Sequence, residues 1–346
     1  MNNDKISRNV GEEYVYWIDS AKAIGIILII VGHLSYGSSL SWINKLIYSF
    51  HVPLFFMLSG IVFHSPNSTL HVYIKNKASR LLIPFLCYAV IELLLSLRMM
   101  LWKKEISIDV LCGILYVKGR MNFNDPLWFL IVLFEVYCIA AFLQIWKRSE
   151  VTKIIIMLAS FTIGWLLFSY KDCIPIMNVF GINRAVICLG FFLVGNLILK
   201  LRSNFFLLIA SIILWICSAL TNSKVSLYAY KLGQYPLFLL SSLSGSIAII
   251  IISQVLLDKQ TIIGGLTKHS ILFLGTQYYW IYPFRKIAKM IGIDTFPYFE
   301  IASIVLTVFY VLMLPKAYEA VKQRYCFASM LNGEVKRAVK LSDIDF

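Results

Sequence analysis

Lys22 and His33 stand eleven residues apart in the apolar stretch WIDSAKAIGIILIIVGH, with Asp19 one turn before the lysine. On a helix that step is close to three full turns, so the ammonium and the imidazole share a face about 16 Å apart along the axis. A second histidine, His51, opens the next apolar run directly before Val52 and Pro53. Ionisable side chains are costly inside a bilayer and persist there mainly where they have a partner or a task. A neutral imidazole in a cavity serves as a general base near neutral pH, so His33, His51 and Asp19 are the catalytic candidates. The plainer alternative makes His33 a hydrogen-bonded packing residue, with Gly25 and Gly32 marking a close helix contact. The face shared with Lys22 and the nearby second histidine favour chemistry for His33, whereas His51 fits either reading.

Three cations could hold a phosphorylated cosubstrate. Lys22 is one, and Lys77 and Arg80 in KNKASRLLIP are neighbours across a three-residue helical step. Arginine offers phosphate a bidentate fork and lysine a point charge. Topology-setting surface charge would explain the cluster equally well on its own, and the Lys22 to His33 arrangement tips it towards a ligand. Candidate cavity residues lie further along. Trp128 and Glu135 are one heptad apart in PLWFLIVLFEVY, and a buried carboxylate there needs a partner. Gln277 and Tyr278 belong to a polar group, Thr276 to Tyr279, that interrupts a late apolar run before Arg285. Arg184 and Arg285, like Lys118, Arg120 and Lys286, fall on the side that the overall charge bias leaves poor in cations. Trp42, Tyr48, Trp128 and Trp280 also suit an interfacial aromatic belt.

The elements that must position these residues follow from composition. The chain of 346 residues is 59% hydrophobic, 15% aromatic and 14% charged, with a mean hydropathy of +0.77, far outside soluble domains. Apolar runs of membrane-crossing length fall at 21–37, 43–63, 81–101, 127–146, 154–170, 185–199, 205–220, 237–257, 270–291 and 298–315. The expected fold is all-α, a polytopic membrane protein with about ten transmembrane helices. The Lys and Arg distribution places both termini in the cytoplasm, and the expected location is the cell (plasma) membrane. Residues 1–16 read as a cytoplasmic segment without a signal peptide, 17–315 as the membrane domain, and 316–346 as a basic tail that starts as an amphipathic surface helix. The loop 102–126 is the one long connection. The net charge of +14 resides in connecting loops, so no nucleic-acid partner is expected. The seven cysteines lack metal or redox spacing, and no metal site is expected.

At these residues the sequence resembles the acyltransferase 3 family of integral membrane acyltransferases, in particular its fucose 4-O-acetylase-like branch. The matching pieces run in the family's order: WIDSAKAIGIILIIVGH, FHVPLFFMLSG, KNKASRLLIPFL, PLWFLIVLFEVY, NRAVICLGFFLVGNLI and HSILFL. Lys22 and His33 stand as the family's basic residue and histidine of the first span, and Lys77 with Arg80 as its paired basic residues. Two departures are visible. Gln277 lies near where the family commonly has a late histidine, and the lead cation of the basic pair is Lys77 rather than arginine. The resemblance implies transfer of an acetyl or other short acyl group from acetyl-coenzyme A to a hydroxyl. That hydroxyl would belong to a cell-surface polysaccharide or its lipid-linked precursor. It also implies that Lys22, Lys77 and Arg80 hold the nucleotide and that His33 is the base. Acetyl-coenzyme A would be a cosubstrate, with no permanently bound cofactor; the partners are the glycan acceptor and the lipid bilayer. The rival class is a polytopic transporter or flippase for a glycan or small solute, for which scattered intramembrane charges are also typical.

Overall fold

The computed structural model describes residues 16–34, 41–66, 68–103, 125–170, 181–198, 204–257, 264–294, 297–325 and 327–334. The start of the chain, most of the 102–126 loop with Lys118 and Arg120, and the tail beyond 334 lie outside the described residues. Helices occupy nearly all the rest: α1 Tyr16–Leu34, α2 Ser41–Ile61, α3 Leu70–Lys103, α4 Trp128–Phe142, α5 Glu150–Ser169, α6 Ile182–Leu197, α7 Phe205–Thr221, α8 Tyr235–Leu256, α9 Ser270–Met290, α10 Tyr298–Arg324 and a short α11, Ala328–Leu331. Among the described residues there is no strand, only an isolated bridge between Ser226 and Lys231. Each of the ten expected spans coincides with one of α1 to α10. The protein is an all-α polytopic membrane protein.

Five helices, α1, α3, α5, α8 and α10, are long and apolar enough to cross a membrane, and α4, α6 and α7 are shorter apolar helices. The lower hydropathy of α2 and α9 has a local cause: they carry Asn44, Lys45 and His51, and Gln277, Arg285, Lys286 and Lys289. Of these residues, His51 on α2 and Arg285 on α9 face the cavity described below. By contrast α5 exposes Ile154, Ile155, Leu158 and Ile163, and α10 exposes Ile301, Ile304, Val305 and Val308. Such apolar stripes need lipid against them.

Two boundaries differ from expectation. Helix α1 starts at Tyr16 because Trp17 and Ile18 are themselves buried, so Asp19 is a first-turn acid, well placed for the helix dipole, and not an N-cap. Helix α10 continues through Pro315 to Arg324, so the basic tail begins as an extension of a spanning helix rather than as a separate surface helix.

Helix α2 is the hub, packed against α1, α6, α7 and α8. Without a hydrophobic drive between helices in lipid, close approach depends on small residues. A Cβ on Gly60 would lie 1.8 Å from the Phe192 carbonyl oxygen, and one on Gly195 1.9 Å from the Met57 carbonyl oxygen. The α2–α6 crossing is therefore made backbone to backbone, and Asn196 Nδ2 adds hydrogen bonds to the carbonyls of Gly60 (3.1 Å) and Phe63 (3.3 Å). Gly25 and Gly32 do the same for α1 and α2, receiving the rings of Phe55 and Tyr48. Gly195→Ala is expected to cost about 1–3 kcal/mol by forced separation of the helices. Gly265→Ala, with nothing within 4 Å of the added carbon, should leave the thermal unfolding midpoint in detergent unchanged.

Candidate active site

The site begins where α1 ends. At its last described turn, side chains from two other helices bond to its carbonyls. Asn44 Nδ2 on α2 donates to the Gly32 carbonyl at 2.6 Å, fully buried. From α9, Arg285 Nη2 donates to the carbonyls of His33 (2.7 Å) and Leu34 (2.8 Å). The guanidinium also places positive charge at the negative end of the helix dipole. The backbone that carries His33 is thus fixed from both sides.

The imidazole is fixed as well. Tyr48 Oη lies 2.7 Å and Tyr278 Oη 2.6 Å from His33 Nδ1, and both rings lean on the imidazole, with centroids 5.7 and 4.9 Å away. When Nδ1 carries the proton it donates to one tyrosine oxygen, and Nε2 is left with its lone pair as a base.

His51 is set by a different device. Its Nδ1 is 2.8 Å from the Ile47 carbonyl. A carbonyl only accepts, so Nδ1 carries the proton and Nε2 of the neutral ring is an acceptor. In that form His51 cannot donate to an oxyanion. Two residues on, Pro53 lies inside α2 and cannot donate to the Ser49 carbonyl. Ser242 Oγ of α8 fills the gap at 2.6 Å, while Trp215 Nε1 donates to Leu46 O (3.2 Å) and Ser49 Oγ (3.1 Å). The Tyr48 and His51 rings stand edge to face, 5.0 Å apart, so the two histidines flank one tyrosine.

These groups open onto a cavity of about 450 Å³ lined by His33, Tyr48, His51, Trp128, Tyr278 and Arg285, with Phe55, Phe129 and residues 226–229 among its other walls. That is the size of a small-molecule site. Ile29, four residues before His33 and seven after Lys22, lines it too, so the expected Lys22 to His33 face runs into the cavity. Phe55, laid against Gly25, closes its inner wall.

The cationic residues gather at the other end of the bundle. Lys77 Nζ stands 3.7 Å from the Tyr137 ring centroid and 5.4 Å from that of Tyr73, a cation–π arrangement. Lys22 acts electrostatically on the same Tyr137, and Arg80 on Lys77. Arg80 is exposed and Lys22 half-buried.

Of the expected cavity residues, Trp128, Tyr278 and Arg285 line the cavity. Glu135, Arg184 and Gln277 stand behind it. Gln277 is fully buried and donates to the Leu274 carbonyl at 3.2 Å. Arg184, 1% exposed, is turned to a loop, 222–234, and Glu135 lies within its electrostatic reach. Sequence reasoning missed Asn44 altogether and read Tyr48 as an interfacial aromatic; its signal, a tyrosine one turn before His51, was present but ambiguous.

A helical membrane bundle with a positioned imidazole in a small-molecule cavity, and cations at the far end of the same helix face, defines a polytopic membrane enzyme. The family model described as an acyltransferase domain matches residues 15–314, and the chain belongs to this acyltransferase 3 family. No curated protein and no solved structure matches it. The protein is a membrane acyltransferase.

Asn44→Ala is expected to remove the buried bond to the Gly32 carbonyl, worth about 0.5–1.5 kcal/mol, read as a lower unfolding midpoint in detergent. Trp42→Ala, two residues earlier and more than half exposed, should shift the midpoint far less.

Proposed function

We propose that this acyltransferase transfers an acetyl group from acetyl-coenzyme A to a hydroxyl of a cell-surface polysaccharide or its lipid-linked precursor, as in the fucose 4-O-acetylase-like branch of the family. The observation that carries the reading is the imidazole of His33, clamped at Nδ1 by two tyrosines inside the cavity and standing on the helix face that also bears Lys22. Lys22, Lys77 and Arg80 bind the nucleotide and pyrophosphate of the donor on the cytoplasmic side of the plasma membrane. The thin pantetheine arm follows Lys22, Ile29 and His33 past Phe55 and delivers the thioester to the cavity.

In the cavity the acceptor hydroxyl gives its proton to His33 Nε2 as its oxygen attacks the thioester carbonyl carbon. The Nδ1 proton stays on the ring and is donated to a tyrosine oxygen, which spreads the charge of the imidazolium. The tetrahedral intermediate collapses with cleavage of the carbon–sulfur bond, and the leaving thiolate takes the proton from Nε2. Arg285, whose guanidinium lines the cavity beside His33, supplies fixed positive charge near the developing oxyanion. His51, an acceptor at Nε2, hydrogen-bonds a second hydroxyl of the sugar.

Purified protein with labelled acetyl-coenzyme A and a glycan acceptor tests the reading. His33→Ala is expected to lower transfer by about 10²- to 10⁴-fold while expression and donor binding stay nearly intact. Lys22→Ala and Arg80→Ala should instead weaken the apparent donor affinity more than turnover, because phosphate contacts are equal in ground and transition states. A His33→Ala protein that acetylates near the wild-type rate contradicts the assignment, and binding of donor without turnover in the wild type supports a transporter instead.

A further inference from the structure

Arg184 is the largest of the fully buried side chains, at 1% exposure, and an arginine in that position needs a reason. It sits in the first turn of α6 and donates outwards from the helix: Nε to the Leu227 carbonyl at 3.0 Å and Nη2 to the Tyr228 carbonyl at 2.6 Å. Nη1 reaches Asn183 Oδ1 at 3.4 Å, and the Tyr230 ring lies over the guanidinium, 5.7 Å from centroid to Cζ.

The loop that receives these bonds is built rather than slack. At its base Asn222 donates to the Leu232 carbonyl and accepts from the backbone N–H groups of Ser223 and Gln234. Reciprocal backbone bonds join Ser226 and Lys231 at 2.7 and 2.9 Å, closing a four-residue tip, 227–230, whose last residue, Tyr230, has a left-handed backbone with φ of 51°. Leu227, Tyr228 and Ala229 at that tip are walls of the cavity that holds His33, and the Tyr228 ring lies 6.4 Å from that of Trp128. A buried cation on α6 therefore sets the shape of the cavity wall without touching the cavity.

We propose that Arg184 is a positioning residue for acceptor recognition: it fixes the 227–230 tip so that Tyr228 and Trp128 present a paired aromatic surface to the pyranose ring of the acceptor. The inference rests on the acetyl-transfer reading and adds the chemical class of the acceptor and the element that selects it. A pyranose offers an apolar C–H face to aromatic rings and its hydroxyls to His33 and His51. The donor is held by its nucleotide at the Lys22 end, away from the loop, and only its thioester end enters the cavity. Loss of Arg184 thus acts chiefly on the acceptor.

The experiment uses the full chain in detergent, labelled acetyl-coenzyme A and 4-nitrophenyl pyranosides as acceptor probes. Arg184→Ala is expected to raise the KM for the pyranoside about tenfold or more, with the KM for acetyl-coenzyme A within about twofold of wild type. Arg184→Lys, which keeps the charge but not the fork, should recover part of the difference. Tyr228→Ala leaves the held carbonyl in place and should give the same acceptor-only defect, which keeps the test open should Arg184→Ala fold poorly. Equal rises in both KM values, or no rise for the pyranoside, overturn the proposal.

Amide hydrogen exchange reads the positioning independently of chemistry. Arg184→Ala should speed exchange within 226–231 and leave α1 and α2 protected. Unchanged exchange in the tip, or faster exchange throughout the bundle, contradicts the role. Wild-type protein that acetylates no pyranoside would sink the acetyl-transfer reading, and the exchange result would still decide whether Arg184 holds the loop.

Discussion

A carbonyl freed from its helix and shut away from water must find a donor within the protein. Three places where side chains reach backbone carbonyls build its site. At the end of α1, Asn44 and Arg285 take the carbonyls of Gly32, His33 and Leu34. At Pro53, Ser242 takes the Ser49 carbonyl. In the 222–234 loop, Arg184 takes those of Leu227 and Tyr228. Each donor comes from a different helix, so satisfying the backbone and aiming the cavity groups are one and the same act. Among the polar residues that lower the hydropathy of α2 and α9, Asn44 and Arg285 supply these bonds and His51 lines the cavity.

The second constraint is distance. An unbroken α1 keeps Lys22 and His33 on one face roughly 16 Å apart, which separates the Lys22 end of the bundle from the cavity. Close helix crossings at Gly60, Gly195 and Gly25 hold that separation rigid. In the proposed reading, phosphate affinity and acyl chemistry are carried by different groups, and a long, thin donor bridges them. Lys77, stacked on Tyr137, would meet such a donor as a partly shielded charge rather than as a solvated one.

Much of this was legible in the sequence because it is local. Run lengths found all ten long helices, and the Lys22 to His33 spacing found the face that enters the cavity. What the sequence could not reveal is long-range. The Tyr278 bond to His33 and the Arg285 bond to its carbonyl join residues some 250 positions apart, and nothing in a single chain pairs them. Arg184 was singled out as a misplaced cation, yet its partner is a loop backbone, and carbonyls leave no mark in a sequence. Tyr48 failed for another reason: a tyrosine near a helix end suits an interfacial belt as well as a hydrogen bond to a histidine.

The account's central claim is that one helix face delivers a donor from the cations of one end to the imidazole at the other. A structure of the protein with acetyl-coenzyme A bound tests it most directly. The account predicts phosphates against Lys22 and Arg80, and the thioester carbonyl in the cavity, close enough that an acceptor oxygen can sit about 3–3.5 Å from it and within hydrogen-bond reach of His33 Nε2. Phosphates bound at the His33 end, or a thioester lodged outside that cavity, would contradict it.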